Sequence, residues 1–209
     1  VLLLNKPAGV ICSRKDVLHR SSVFDNLPTL TSGRWVSIGR LDLQSSGVLL
    51  FSTDGQLADK LMHPSTGIDR EYAVRVRGRL DEAQLDLALN GVNIDGEQLR
   101  FSDIRFFNGS SGNSWYHVVL MEGKNREIRR LFEFLGSPVS RLKRVRYGPV
   151  IAPSWLKTGQ YIELNITDVS KLYRLVGLSA PDKNKMTKKS RKSKYQAKKS
   201  CLIDYPELV

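Results

Sequence analysis

The 209-residue chain is basic, with 33 Lys and Arg against 21 Asp and Glu, and 41% of its residues are hydrophobic. That hydrophobic content is enough for one fair-sized core or for two small lobes. Residues 182–209 hold nine Lys or Arg and three Asp or Glu, so this segment and the rest of the chain each carry half of the net charge of +12. The charge predicts a polyanionic partner, either nucleic acid or an anionic membrane surface.

Several classes of protein are excluded by what the sequence lacks. No apolar run approaches the roughly eighteen residues of a membrane span, and the initial run VLLL is too short for a signal peptide. Cys12 and Cys201 lie at opposite ends, and the three histidines are scattered, so we predict neither a disulfide framework nor a metal site. We therefore expect a cytoplasmic protein. Because the chain enters a strand-like run directly at Val1, we also expect it to be a fragment of a longer protein.

Short strands alternate with short helices in the first half of the chain. The stretch VLLLNKPAGVICS predicts a strand, a turn at residues 6–9 and the start of a second strand. Residues 47–53 predict a buried strand, followed by a helix from about Gln56 to Met62 that Thr53 or Asp54 begins. In DREYAVRVRG, Tyr72 shares one face of a half-buried strand with two valines, while Glu71 lies on the other face.

The second half continues this pattern and adds a basic helix. Residues 81–89 predict a helix, residues 92–107 two strands about a turn, and SWYHVVLM another strand. In GKNREIRRLFEFLG the apolar residues recur at helical spacing, and Gly136 is placed to end the helix. Arginines near the start of this helix oppose its dipole, so they require an anionic neighbour, either a carboxylate or a phosphate. A last helix is predicted at about residues 168–176.

Two familiar nucleotide-binding motifs are absent from the sequence. EGKN is not a phosphate-binding loop, because Val118 stands where the first glycine is needed and Asn125 stands where Ser or Thr should bind magnesium. No dinucleotide-binding fingerprint is present either. What remains is a set of polar residues: Arg40 and Asp42 in the first half, Tyr72 in the middle, and the arginines of residues 126–130.

The segments that carry these residues resemble the pseudouridine synthases. GRLDLQSSGVLLFSTDG resembles the central motif of the branch that modifies ribosomal RNA and is named for the small-subunit enzyme RsuA. KPAGV, REYAVRV and EGKNREIRRLFEFLG match the other signatures of that branch in the same order, and the match covers about residues 1–178. The resemblance implies an α+β fold, with a mixed, largely antiparallel, curved sheet in two lobes that flank a basic cleft.

The resemblance also implies a reaction and roles for named residues. Uridine is isomerised to pseudouridine in 23S ribosomal RNA by base flipping, cleavage of the glycosidic bond and reattachment through C5, with no cofactor. Asp42 resembles the catalytic aspartate, acting as a nucleophile or as a base; Arg129 resembles its ion-pair partner, which keeps it ionised; and Tyr72 resembles the tyrosine against the target base. The remaining implied substrate contacts are Arg40, which enters the space left by the flipped nucleotide, Ile128, which packs beneath the site, and the phosphate contacts Lys6, Lys124, Arg126 and Arg130.

Domain organisation and partners complete the expectations. Residues 1–178 are predicted to be the catalytic domain, and residues 179–209 a basic, disordered tail, whose segment CLIDYPELV could instead dock on the body. The small S4-type RNA-binding domain that usually precedes this branch is not found in the chain. We expect a monomer that binds a structured stem-loop of 23S ribosomal RNA. The alternative is a non-catalytic ribosomal RNA binder or assembly protein on the same fold.

Overall fold

The computed structural model describes residues 1–110, 112–180, 197 and 199–206. Its strands and helices, in chain order, are β1 (Leu2–Lys6), β2 (Val36–Ile38), β3 (Ser45–Ser52), α1 (Gly55–Met62), a 3-10 helix (Pro64–Thr66), β4 (Arg70–Arg77), α2 (Glu82–Asn90), β5 (Val92–Ile94), β6 (Glu97–Leu99), β7 (Asp103–Ser110), β8 (Asn113–Leu120), α3 (Glu127–Phe134), β9 (Val139–Tyr147), β10 (Val150–Ile151), β11 (Tyr161–Glu163) and α4 (Ile166–Leu175).

The chain forms two compact units, which we call unit 1 and unit 2. Unit 1 comprises Val1–Ile68 and Tyr147–Val209, and unit 2 comprises Asp69–Arg146. In the described part of the chain, no helix is long and apolar enough to cross a membrane. Strand pairs within both units run antiparallel. The predicted α+β class with a largely antiparallel sheet is confirmed, whereas the basic cleft stays a prediction.

Unit 1 is built around the buried strand β3. Its strands lie in the order β2, β3, β1 and β11, so that Leu50 is opposite Ile38 on one side and Leu3 on the other. The central residues of β3 are fully buried, as expected for a continuous apolar run. Helices α1 and α4 contribute Leu57 and Leu172 to the same core. Helix α1 begins at Asp54, whose carboxylate accepts hydrogen bonds from two backbone N–H groups, one of the two caps predicted.

Unit 2 holds strands β4, β8 and β7 side by side, with β9 along the other edge of β4. Side chains of β4 and β8 alternate between buried and half-buried, which confirms the predicted period of two. Phe132 of α3 packs against Tyr116, with ring centroids 6.0 Å apart, and against Phe101 at 5.4 Å. Helix α3 therefore covers one face of these strands, and the other face carries the half-buried side chains.

The C-terminal segment, residues 199–206, docks on unit 1. Leu202 forms a β-bridge with Val150, and the N–H of Ile203 donates to the carbonyl of Pro149 at 2.9 Å. Cys201 is 2% exposed, and its N–H donates to the Asp168 carboxylate at 2.8 Å. The prediction of a disordered tail is therefore wrong for this segment, because its apolar residues complete the core of unit 1. Residues 181–196, which hold six of the eight lysines of residues 179–209, lie outside the described residues.

Candidate active site

Asp42 lies in unit 1, in the turn that leads from β2 to β3. Gly39 begins this turn with a φ of +75°, a conformation that glycine adopts without strain. The N–H of Ser45 donates to the carbonyl of Asp42 at 3.0 Å, and the N–H of Gly9 donates to the carbonyl of Leu43 at 2.7 Å. The Asp42 side chain is half-buried, and that of Arg40 is exposed. The sequence thus places a carboxylate on a turn whose backbone is held on both sides.

Lys6, the last residue of β1, forms hydrogen bonds to the same turn. Its side chain is fully buried, and Nζ donates to the carbonyls of Pro7 at 2.9 Å, Asp42 at 3.2 Å and Ser45 at 2.8 Å. An ammonium group has three donors, so these acceptors can use all of them. The prediction of Lys6 as a phosphate contact is therefore wrong. The residue holds the Asp42 turn in place. The sequence alone does not distinguish a fully buried lysine from a lysine on the surface.

Tyr72 lies in unit 2, on the core-facing side of β4. It is 9% exposed, and Val74 and Val76 on the same face are fully buried. Tyr72 stands opposite Val118 in the antiparallel pair with β8. The predicted face is confirmed, and Tyr72 is the most exposed of the three side chains on it.

Helix α3 begins after a residue in the left-handed conformation, and the arginines of the predicted site lie at this start. Arg126 adopts the left-handed conformation with a φ of +49°, and its exposed side chain makes no capping hydrogen bond. Glu127 is instead buried, and its Oε2 accepts the N–H of Lys124 at 3.1 Å. Burial raises the pKa of Glu127. Glu127 was not predicted as a functional or capping residue. The signal was its position three residues after Lys124, which is the spacing of a capping box.

The residues that follow Glu127 point in three directions. Ile128 is 4% exposed and faces the core, as expected of an apolar residue at helical spacing, whereas its place under the site stays a prediction. Arg129 is half-buried and donates from Nη1 to the carbonyl of Val139 at 3.3 Å. Arg130 forms an ion pair with Glu97 and donates to the carbonyl of Ile94 at 2.9 Å. The expectation that arginines here need an anionic neighbour is confirmed for Arg130, whose partner comes from the β5–β6 hairpin.

Besides Lys6, two of the predicted phosphate contacts already have protein partners. Lys124 pairs with Glu122 at 2.9 Å and donates to the carbonyl of Gln98 at 2.7 Å. Arg130 has a side chain that is 20% exposed and pairs with acidic residues. A phosphate at either residue would compete with these bonds, whereas Arg126 is exposed. The phosphate roles of these three residues stay predictions.

The predicted site residues fall into two groups. Unit 1 holds Lys6, Arg40 and Asp42, and unit 2 holds the remainder, which are Tyr72, Lys124, Arg126, Ile128, Arg129 and Arg130. The predicted ion pair between Asp42 and Arg129 joins residues of different units and stays a prediction. Among the described residues, no group of three or more His, Cys, Asp or Glu side chains could hold a metal ion.

Comparison with known families decides where this chain belongs. The sequence model of the family described as RNA pseudouridylate synthase matches residues 1–134, which include the Asp42 turn, Tyr72 and the start of α3. The chain is a member of the RNA pseudouridylate synthase family. The resemblance of its motifs to that family is thereby confirmed.

Relatives within the family share sequence over almost the whole chain. Proteins named ribosomal large subunit pseudouridine synthase B are 50% identical over 203 residues in Pseudomonas aeruginosa, 46% over 210 residues in Pasteurella multocida and 45% over 210 residues in Haemophilus influenzae. These alignments cover 96%, 100% and 100% of this chain, but only 53%, 61% and 59% of the relatives. The chain therefore spans a little over half the length of these relatives.

Two solved structures share the fold of this chain. A structure described as pseudouridylate synthase matches with a TM-score of 0.71 and 25% identity, covering 82% of this chain and 72% of that one. A chain of an archaeal box H/ACA sRNP complex matches with a TM-score of 0.52 and 20% identity, covering 75% of this chain and 50% of that one. The second likeness is one of fold alone, and both agree with the pseudouridine synthase fold expected from the motifs.

Proposed function

We propose that this chain is the catalytic part of an enzyme that isomerises uridine to pseudouridine in large-subunit ribosomal RNA. The observation that carries the proposal is the Asp42 turn, held by the buried ammonium of Lys6 within the stretch that the family model matches. Relatives of 45–50% identity are named as pseudouridine synthases of the large ribosomal subunit. The proposed substrate is a uridine in a structured stem-loop of 23S ribosomal RNA, and the proposed state of the protein is a cytoplasmic monomer.

The reaction conserves the atoms of the nucleotide. The bond between N1 of uracil and C1′ of ribose breaks, the base turns, and a bond between C5 and C1′ forms; C5 then loses its proton and N1 gains one. No electron acceptor is consumed, so the protein must supply an acid–base or nucleophilic group, a surface for the detached base, and exclusion of water. Asp42 is proposed as the group at the ribose, acting as a nucleophile or as a base that removes a ribose proton.

The other proposed roles follow from the positions of the side chains. Tyr72 is buried apart from 9% of its surface, so the ring could contact a base with one face while the rest of it packs in unit 2. Arg129 is proposed as the cation that pairs with Asp42, and Ile128 as the apolar support under the site. Arg40 is exposed and is proposed to occupy the space of the flipped uridine, where a guanidinium can stack and contact phosphate.

Loss of tritium from C5 tests the proposal directly. Ribosomal RNA that carries tritium at C5 of uridine releases it to water only when C5 becomes bonded to C1′. In a single-turnover assay we expect Asp42→Asn to abolish release while leaving RNA affinity nearly unchanged, because one carboxylate contributes little to the attraction of phosphates. Asp59→Asn, at an exposed position of α1, is the matched control and should retain activity.

Two results would count against the proposal. If Asp42→Asn releases tritium at a rate near that of the unchanged chain, Asp42 is not the reacting group. If the unchanged chain binds ribosomal RNA but releases no tritium, the alternative of a non-catalytic RNA binder is correct.

A further inference from the structure

The exposed face of the sheet in unit 2 carries an aromatic and basic surface, which we call the outer face. It is defined by Arg75, Arg105, Phe107, Trp115 and His117. In the antiparallel register Arg75 stands opposite Trp115, and Arg105 stands opposite His117, so each pair shares a face. The ring of Phe107 lies 5.3 Å from that of His117 and therefore joins the same surface. Phe107 is 66% exposed, a large exposure for a phenylalanine side chain.

This outer face is separate from the face that carries Tyr72. Successive side chains of a strand point to opposite sides of the sheet. Tyr72 and Val118 are buried on the core-facing side, whereas Glu71 and His117, their neighbours in sequence, are half-buried on the other side. A ligand on the outer face would therefore not contact Tyr72 and would not be the base that Tyr72 is proposed to hold.

A cavity of about 430 Å³ opens on the outer face beside Phe107. Its walls include Arg105, Phe107 and His117, and its polar side is formed by Glu71 and Arg146. His117 Nδ1 lies 2.7 Å from Glu71 Oε1, and Arg146 Nε donates to Glu71 Oε2 at 3.0 Å. Arg146 also makes two hydrogen bonds to Asp69, at 2.6 and 2.7 Å. These bonds hold His117 by one ring nitrogen; its other nitrogen, Nε2, has no hydrogen-bond partner within the described ranges.

The charges around the cavity indicate which kind of ligand can bind there. Arg105 and Arg146 are offset by Asp103, Glu71 and Asp69, so the cavity itself does not attract a compact anion. A planar, uncharged, polar ring fits better, because it can stack on Phe107 and bond to His117 at its edge. Farther along the same strands Arg75 lies beside Trp115, and Arg77 is exposed at the end of β4. These cations suit the phosphates on either side of such a ring.

We propose that the outer face is a second RNA-binding site, which takes one or two unpaired nucleotides through stacking on Phe107 and Trp115. Aromatic side chains on an exposed sheet, with arginines between them, are the arrangement by which proteins bind single-stranded RNA. An apolar protein partner would require a continuous apolar patch, and here arginines interrupt it. The proposal goes beyond the isomerisation proposed above and shares with it only that RNA is the ligand.

Photocrosslinking locates the bound nucleotides without any catalysis. The probe is a single-stranded RNA of about 12 nucleotides, alternating cytidine with 5-iodouridine, which crosslinks to aromatic rings that it contacts. Trypsin releases residues 106–124 as one peptide that contains Phe107, Trp115 and His117, separate from the peptides that contain Asp42 and Tyr72. We expect adducts on Phe107, Trp115 or His117 in this peptide. Asp42→Asn should give the same adducts, so failure of the proposed reaction would leave this result unaffected.

A variant at Phe107 measures the contribution of stacking. Phe107→Ala should weaken binding of the same RNA by about 5- to 150-fold, the range for loss of one stacked base, and should remove most of the adducts from residues 106–124. Phe134→Ala is the matched control, because Phe134 is 55% exposed on α3 of the same unit. Adducts confined to other peptides, or equal affinities of the Phe107 and Phe134 variants, would overturn the proposal. So would self-association of the chain that is lost in Phe107→Ala, since the face would then contact a second copy.

Discussion

Replacement of Lys6 by methionine tests the foundation of the Asp42 turn. Lys6→Met keeps the length of the side chain and removes the ammonium. In the structure Nζ is buried and donates to three carbonyl groups, two of which belong to the turn residues Asp42 and Ser45. Methionine offers no donor, so all three acceptors lose the bond to Nζ, while the Asp42 carbonyl keeps the bond from the N–H of Ser45.

The expected loss of stability follows from those three bonds. A buried carbonyl left without a donor costs about 1–3 kcal/mol. Part of the summed cost is returned, because the variant no longer carries a charge out of water. We expect the free energy of unfolding to fall by about 2–4 kcal/mol, a large value for a single substitution. For a chain of this size the melting temperature should drop by about 4–16 °C.

Urea unfolding and the tritium-release assay together check this expectation. Lys60→Met is the matched control, since Lys60 is exposed on α1 of the same unit. If the Asp42 turn depends on Lys6, the folded variant should also lose single-turnover rate by a larger factor than it loses RNA affinity. Equal stability of the Lys6 and Lys60 variants, or equal loss of rate and affinity, would refute the role assigned to Lys6.

Three further substitutions probe other parts of the structure. Asp168→Ala should release the C-terminal segment, because it removes the carboxylate that accepts hydrogen bonds from Ser200 and Cys201. Burial raises the pKa of Cys201 to about 11, so its thiol should become reactive towards Ellman's reagent only when the segment is released. Asp204→Ala is the control and should leave Cys201 protected. Burial by itself would raise the pKa of Glu71, but the bonds from His117 and Arg146 outweigh burial and hold that pKa below its ordinary value. These bonds therefore stabilise the folded protein near neutral pH, and the stabilisation is lost on acidification below about pH 4.5. When the free energy of unfolding in urea is measured at a series of pH values, Glu71→Gln should make its fall at acidic pH less steep. Tyr173→Phe should lower the free energy of unfolding by about 1.5–3 kcal/mol in the same assay, because it removes a 2.6 Å hydrogen bond to the Asp54 carboxylate.

The sequence predicted elements whose signals are local. Alternation along β4 placed Tyr72 on the buried face, because the strand period is two and depends on no distant residue. Helix α3 was recognised from its apolar spacing; its last residue is Phe134, and its C-cap, Leu135, lies next to the predicted Gly136. The turn that carries Asp42 was identified through the resemblance of its motif rather than through its own chemistry, since a carboxylate beside a strand is often only a turn residue.

Features that depend on distant partners were beyond the sequence. Lys6 was assigned to phosphate because its acceptors at Asp42 and Ser45 are supplied by a turn 36–39 positions away. Glu71 was placed on the outer side of β4, yet nothing in the pattern connects it to Arg146, 75 residues later. The C-terminal segment was predicted as part of a basic tail, because composition averages over a lysine-rich stretch and hides the short apolar stretch that docks.

The division of the chain into units has a consequence for the order in which it folds during synthesis. Unit 2 is one continuous stretch, whereas unit 1 combines residues before and after it. Strand β1 pairs with β11 at its edge, so Leu3 can meet Ile162 only after residue 162 has left the ribosome. Unit 2 can close its antiparallel pairs of β4, β8 and β7 earlier, from neighbouring sequence. The Asp42 turn therefore belongs to the unit that completes its core after unit 2, once residues 199–206 have been translated.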